Sequence, residues 1–158
     1  PEAQLDRFLM RLSLGDPSRA DERQILTNLG REHPITRIGK VVDGQELSAL
    51  QKRVWDVNVD TTLQDYIVDL AEATRRHPDL SLGVSPRGTL ALLKGAQALA
   101  AVRGRDYVVP EDIKTLVPLT LAHRLILKPE AELRGRTARS ILEDMLENTT
   151  LDLGNLSS

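Results

Sequence analysis

Thr61-Thr62-Leu63-Gln64-Asp65-Tyr66-Ile67-Val68-Asp69-Leu70-Ala71-Glu72-Ala73-Thr74-Arg75-Arg76-His77-Pro78 is the stretch on which the fold turns. Leu63, Tyr66, Ile67, Leu70 and Thr74 form one stripe, while Asp65, Asp69, Glu72 and Arg76 fill the opposite side. An apolar stripe of helical period marks a helix with one face in a core. Thr61 and Gln64 stand at capping-box spacing. Arg75, Arg76 and His77 put positive charge at the negative end of the helix dipole, and Pro78 cannot continue the helix. The spacing predicts a helix over residues 62–76.

Working outward, the same signals recur. Ser85-Pro86 opens a helix that runs to Gly104, with Leu92, Ala96 and Leu99 inward. Val109-Pro110-Glu111-Asp112 opens another, with proline at its first position and acids in its first turn. Pro118 is expected to kink or divide it. A last helix over residues 137–147 places Ile141, Leu142, Met145 and Leu146 on one face, and the polar tail beyond Asn148 is expected to fray. Before the central helix, residues 45–55 set Leu47, Leu50 and Val54 at helical spacing, and Val57-Asn58-Val59 is short and extended. Residues 19–29 form a helix led by Ser18 and Asp21, with Ile25, Leu26 and Leu29 inward. Gly30 to Gly44 shows no period and holds Pro34, so it is expected to be a loop. At the start, Phe8, Met10, Leu12 and Leu14 alternate with Leu9, Arg11 and Ser13, which reads as a strand with one buried face. Such a strand needs partners. It is expected to be the last strand of a sheet whose other strands are missing, and Pro1 in place of methionine points to a piece of something larger.

Composition narrows the class. At 158 residues the chain can form one cored domain, or a small domain plus a fragment. A hydrophobic share of 41% with 28% charged residues is that of a soluble globular protein, and 3% aromatic residues favour packed helices over a sandwich. The absence of cysteine excludes disulfides and thiolate metal sites and fits a reducing compartment. A net charge of −2 gives no global attraction for nucleic acid or anionic lipid. No apolar run approaches bilayer length and no signal peptide opens the chain, so a cytoplasmic protein without membrane insertion is expected.

Two arginines stand out as candidates for chemistry. Arg87, in Ser85-Pro86-Arg87-Gly88, takes the second position of a helix whose first amides already favour anions, which would make a phosphate site. The bland alternative has Ser85 and Pro86 starting a helix and Arg87 facing water. Arg7 follows Asp6, and its bland role is a solvated charge paired with Asp6 or Glu2. A phosphate loop is absent: Gly39-Lys40 is followed by Val41 where serine or threonine is required, and Pro34 stands where the first glycine should be. The chain by itself is therefore expected not to hydrolyse ATP. His33, His77 and His123 are too scattered for a metal site, so none is expected, and His123 reads as an ordinary surface or helix-end residue. Arg103 and Arg105 lie near Asp106, Glu111 and Asp112, a solvated cluster rather than a DNA contact. Tyr107-Val108-Val109 reads as a packing strand. Trp55 is open between core and interface.

Pro1-Glu2-Ala3-Gln4-Leu5-Asp6-Arg7-Phe8 resembles the end of the ATPase core in the MoxR branch of the AAA+ family, where this motif carries the arginine finger. Arg75-Arg76-His77-Pro78, Gly83-Val84-Ser85-Pro86-Arg87, Gly104-Arg105-Asp106-Tyr107-Val108-Val109-Pro110-Glu111-Asp112 and Leu121-Ala122-His123-Arg124-Leu125 follow in that family's order. The likeness extends to about residue 147. It departs at Asp16, where an aromatic is usual, and at Gly88, where alanine is usual and where glycine would loosen the helix start. The resemblance implies a mainly α chain, a helical AAA+ lid preceded by the terminal strand and helix of an absent α/β core. Residues 1–30 would be the core's end, 31–44 a linker, 45–147 the lid and 148–158 a frayed tail. It implies ATP, with Mg2+ held by the missing core, and a homo-oligomeric ring of hexamer type. Arg7 would be catalytic at the neighbour's γ-phosphate, and Arg87 the second sensor on its own subunit's nucleotide. Chaperone-like remodelling or metal-cofactor insertion is implied, with a von Willebrand factor A domain protein as partner. The rival reading is a non-enzymatic helical module that binds protein or nucleic acid.

Overall fold

In the computed structural model, which describes residues 2–29 and 34–148, the stripe of the central helix is buried as its spacing requires. The chain runs α1 (Glu2–Leu5), α2 (Arg19–Leu29), a 3-10 turn (Pro34–Arg37), α3 (Gly44–Val54), α4 (Thr61–Arg76), β1 (Leu80–Leu82) and α5 (Pro86–Val102). It continues through α6 (Pro110–Leu121), a second 3-10 turn (Ala122–Arg124), β2 (Ile126–Leu127), α7 (Pro129–Leu133) and α8 (Ala138–Asn148). The class is the mainly helical one that the sequence predicts. By its contacts the chain divides into two units, residues 2–11 with 52–148 and, separately, Leu12–Gln51.

The larger unit is built around α4, α5, α6 and α8. Leu63, Tyr66, Ile67 and Leu70 of α4 meet Leu92, Ala96 and Ala100 of α5, Ile113, Val117 and Leu121 of α6, and Ile141 and Leu142 of α8 in one buried cluster. Alanines on α5 let the helices approach closely, and the branched side chains between them fill the space. β1 and β2 pair antiparallel, Leu80 opposite Leu127 and Leu82 opposite Ile126, with an irregularity between. Asn58 makes a single parallel bridge to Tyr107, so the two short extended segments meet without growing into a sheet.

Several details differ from the sequence expectation. The N-cap of α4 is Asp60, one residue earlier than Thr61, and its carboxylate accepts from the Thr62 amide at 2.8 Å. A carboxylate at that position answers both the free amides and the dipole. Pro118 does not divide its helix, which runs unbroken over Pro110–Leu121.

Residues 8–14, expected as a strand, form none: residues 10–18 carry no regular structure, and no strand among the described residues pairs with them. Backbone to backbone they are tied to α6 by Arg11 N–H to the Leu119 carbonyl at 2.9 Å. The Phe8 and Leu9 carbonyls accept from the Arg124 side chain, and Met10 packs against the core. A strand is a paired object, and without a neighbour the alternation of apolar residues has nothing to bury against.

In the smaller unit both helices have capped N-termini, and at the start of α2 the Ser18 hydroxyl accepts from the Asp21 amide at 3.2 Å. Asp43 accepts from the amides of Gln45 and Glu46 at 2.9 and 2.8 Å, while Glu46 accepts from the Asp43 amide at 2.8 Å. Their predicted inward faces are nevertheless exposed, Ile25 and Leu26 on α2 and Leu47 and Leu50 on α3. A stripe supplies one layer of a core, and this unit supplies no second. Of the expected linker and tail, residues 31–33 and 149–158 lie outside the described residues.

Candidate functional site

The loop before α5 is shaped by tight backbone contact. A Cβ on Gly83 would stand 2.6 Å from the Arg75 Cα, so only glycine passes over the end of α4 here. The Val84 N–H then donates to Thr74 Oγ1 at 2.9 Å, and Arg75 Nε donates to the Val84 carbonyl at 2.8 Å. Ser85 follows as N-cap of α5, with Pro86 at the first helical position. This order of groups aims the helix N-terminus and sets Arg87 on its first turn, exposed to solvent.

Arg87 forms no ion pair or side-chain hydrogen bond with another described residue. It sits at the end of α5 where the dipole repels a cation. Arg7 is likewise exposed, in the turn that follows α1, and has no side-chain partner among the described residues. Each is a guanidinium without a paired counter-charge among the described residues, a state that an anionic ligand would relieve.

The two arginines are linked through Asp6. The Ser85 hydroxyl donates to the Asp6 carboxylate, with both oxygens at 3.3 Å. Arg124 Nε donates to the same carboxylate at 3.1 Å, from a side chain only 2% exposed. The rest of the guanidinium is fully engaged. Its Nη2 donates to the Asp6 and Phe8 carbonyls at 3.2 and 2.6 Å, and its Nη1 donates to the Leu9 carbonyl at 3.3 Å and to that of Thr120. His123 Nε2 lies 3.2 Å from the Phe8 carbonyl and 2.8 Å from Arg124 Nη1. A cleft of about 960 Å³ opens beside this arrangement, lined among others by Arg75, Ser85 and Arg124.

The electrostatics follow from burial. Burial draws the Arg124 guanidinium below its ordinary value, the Asp6 carboxylate opposes that, and the charge of Arg87 is near enough to add to the depression. Burial likewise lowers His123, assisted by the positive charge of Arg124 and against the pull of the Phe8 carbonyl. Of the two roles its sequence context suggests, surface or helix-end residue, His123 has the second: it lies in the turn that ends α6, half-buried beside the Asp6–Leu9 segment.

Gly88 also has a role that the sequence did not disclose. A Cβ there would stand 2.7 Å from Val84 Cγ1 and 2.9 Å from Arg124 Cδ. The glycine makes room for the buried arginine rather than merely loosening the helix start.

Arg103 and Arg105, expected to be solvated, converge on Asp112 instead. Their nitrogens reach its fully buried carboxylate at 2.7–2.8 Å, and the Val109 amide adds a bond at 3.0 Å. Trp55 is exposed, with Lys94 Nζ 4.3 Å from its ring centroid. Among the described residues no group of three or more His, Cys, Asp or Glu could hold a metal ion. No described helix is long and apolar enough to cross a membrane.

The AAA lid domain family matches residues 72–145. YeaC of Bacillus subtilis is 44% identical over 146 residues, covering 92% of this chain and 46% of its own length. Chaperone MoxR1 of Mycobacterium tuberculosis is 34% identical, covering 96% of this chain and 42% of its own. A solved structure from Cytophaga hutchinsonii, a proposed ATPase, superposes with a TM-score of 0.86 at 31% identity, over 96% of this chain and 48% of that one. The chain thus spans a little under half the length of these relatives.

Proposed function

The chain belongs with the MoxR-branch AAA+ ATPases, whose lid domain it carries, and from that premise we propose that it supplies two arginines to an ATP-hydrolysing ring. Arg87 binds phosphate oxygens of the nucleotide held by its own subunit, where the first amides of α5 add their partial positive charge. Arg7 presents its guanidinium to the nucleotide of the adjacent subunit. Phosphoryl transfer spreads negative charge over the phosphate oxygens, and a forked, permanently charged donor stabilises that charge.

The observation that carries this reading is the pair of exposed guanidiniums without side-chain partners among the described residues, one following Asp6 and one following Ser85, whose side chains are bonded to each other. The residues suit a phosphate. They do not suit Mg2+, since no carboxylate cluster accompanies them among the described residues. No phosphate loop occurs in the sequence, so the metal and the β- and γ-phosphates would be held by an ATPase core beyond this chain, and the chain alone would not turn over ATP. The work of the ring would be chaperone-like remodelling, in keeping with the name of MoxR1, or insertion of a metal cofactor. It would act in the cytoplasm, with a von Willebrand factor A domain protein as a possible class of partner.

Mixing two inactive proteins tests the assignment of Arg7. With this chain joined to its core, Arg7→Ala should bind ATP normally and hydrolyse it poorly; fingers of this kind contribute on the order of 10³–10⁵ in GTPases. A variant lacking the phosphate-loop lysine keeps its finger and loses its pocket. Under demonstrated subunit exchange, the mixture should recover a fraction of wild-type ATPase activity. A mixture that stays inactive would remove the assignment in trans.

A further inference from the structure

Among the described residues, Arg124 is the most heavily engaged side chain that the proposed chemistry does not use. It is 6% exposed, and a buried guanidinium is retained at a desolvation cost that only dense pairing offsets. Its partners are not spread through the core. Apart from the Thr120 carbonyl within its own turn of chain and its neighbour His123, every one lies in Asp6–Leu9: the Asp6 carboxylate and carbonyl, the Phe8 carbonyl and the Leu9 carbonyl. Arg7 is the residue those contacts bracket. The same Asp6 carboxylate takes the hydroxyl of Ser85, the N-cap two residues before Arg87. Gly88, one residue after Arg87, leaves the space that Arg124 Cδ occupies.

A lone surface arginine has no use for carbonyls on both sides of a single residue. The five N–H groups of a guanidinium lie in one plane in fixed directions, so a set of carbonyls bonded to it is held in a fixed arrangement. Within this segment the Arg7 and Phe8 N–H groups make only local turn bonds to Gln4 and Leu5. The segment forms no strand, and Phe8 and Leu9 are exposed, so its tie to the rest of the unit runs mainly through Arg124, with Ser85 and His123 beside it.

We propose that Arg124 is a positioning residue that fixes the backbone around Arg7 to the start of α5, so that a displacement of the helix bearing Arg87 carries Arg7 with it. The proposal rests on the assignment of Arg7 and Arg87 given above. It adds a link within one subunit between the group that senses its own nucleotide and the group presented to the neighbour. Asp6 is the shared element, and Arg124→Lys cannot replace the fork: an ammonium can keep the ion pair with Asp6 but cannot span the Phe8 and Leu9 carbonyls as a plane.

Two readouts separate the link from the assignment on which it rests. The first is amide hydrogen exchange of the chain itself at Arg7, Phe8 and Arg11, whose N–H groups bond to Gln4, Leu5 and Leu119 carbonyls. Arg124→Met should accelerate exchange there by about tenfold or more, with α5 and α6 changed less than about twofold, and Arg124→Lys should fall between. Asp6→Asn, at a partly exposed position, provides the same test from the other side should Arg124→Met fail to fold. Unchanged exchange in these amides would overturn the proposal.

The second readout is turnover by the chain joined to its core. Arg124→Met should lower kcat by about tenfold or more, leave KM for ATP within about twofold, and add no further loss on an Arg7→Ala background. An equal loss on both backgrounds would show a structural role only and overturn the proposal. Unchanged turnover in Arg7→Ala alone, with accelerated exchange in Arg124→Met, would show that the clamp exists and that the finger assignment is wrong, and coupling would fall with it.

Discussion

The two ends of α5 treat their arginines in opposite ways. At the C-terminal end, Arg103 and Arg105 close on Asp112, whose carboxylate is fully buried and bonded on every side. The helix dipole favours cations at that end, and the paired carboxylate completes the compensation. At the N-terminal end, Asp6 is taken by Arg124 and by the Ser85 hydroxyl, and Arg87 stands on the first turn without a side-chain partner among the described residues. The first arrangement needs nothing from outside. The second leaves positive charge where the helix dipole disfavours it, the feature on which the proposed phosphate contact of Arg87 rests.

The largest difference between the ends should appear in nucleotide kinetics. Arg87→Ala, in this chain joined to its core, should weaken ATP binding or hydrolysis by roughly ten- to a hundredfold, the equivalent of one hydrogen-bonded charge at about 1.5–3 kcal/mol. The helical circular dichroism should not change, because the side chain is exposed. Arg103→Ala in the same assay should leave nucleotide kinetics as they were. Equal effects at the two positions would erase the contrast between them.

Stability should separate the ends in the reverse sense. Asp112→Ala leaves two guanidiniums and the Val109 amide without their acceptor and should cost about 2 kcal/mol, a melting temperature lower by roughly 5–10 °C. The effect should carry a pH signature. Burial pushes the Asp112 carboxyl up, but the bonds from Arg105 and the Val109 amide outweigh it, so the folded value lies below the ordinary 3.8. The contribution is therefore complete above that value and disappears as pH falls through the lower folded value. Acid unfolding below pH 4 should be less steep in Asp112→Ala than in the wild type, as thermal melts across that range would reveal.

The smallest expected effect concerns Gly88. Gly88→Ala gains up to about 1 kcal/mol of helix propensity. It also places a methyl group 2.7 Å from Val84 Cγ1 and 2.9 Å from Arg124 Cδ, a misfit of the order of 1–3 kcal/mol in a packed site. A net loss of about 1 kcal/mol is expected in denaturant titration. A net gain would mean that Arg124 moves aside freely, and would weaken the contrast between a rigid and an available arginine.

The helical framework was legible because its signals are local. The stripe on α4, the Ser85-Pro86 start of α5, the Pro110 start of α6 and the Ile141–Met145 face of α8 each depend on residues within a few turns of one another. The strand expected at residues 8–14 failed for the complementary reason. Alternation states which face would be buried and says nothing of whether a neighbouring strand exists. Ile25, Leu26, Leu47 and Leu50 repeat that lesson in helices, where regular stripes remain exposed without a second layer.

The charged residues were harder to sort. Arg7 and Arg87 were singled out by motif, and both stand exposed and without an internal partner among the described residues. Arg103 and Arg105 looked no different, yet they are tied to a buried carboxylate by the turn that brings residues 103–112 together. Arg124 gave no sign beyond its place in a matching motif, because its partners in Asp6–Leu9 lie 115 and more positions away along the chain. Gly88 looked like a weak helix start until the space beside it was seen to hold Arg124.

By itself, the sequence determined where α4, α5 and α8 run to within about two residues and where α6 opens, that these helices carry alanine- and leucine-rich inward faces, and that the sequence holds no phosphate loop. These follow from periodicity, capping and spacing, which are properties of neighbouring residues. Only the tertiary structure decided which arginines are neutralised within the fold and which remain available, because a guanidinium's role is set by the carboxylates and carbonyls that distant parts of the chain bring to it.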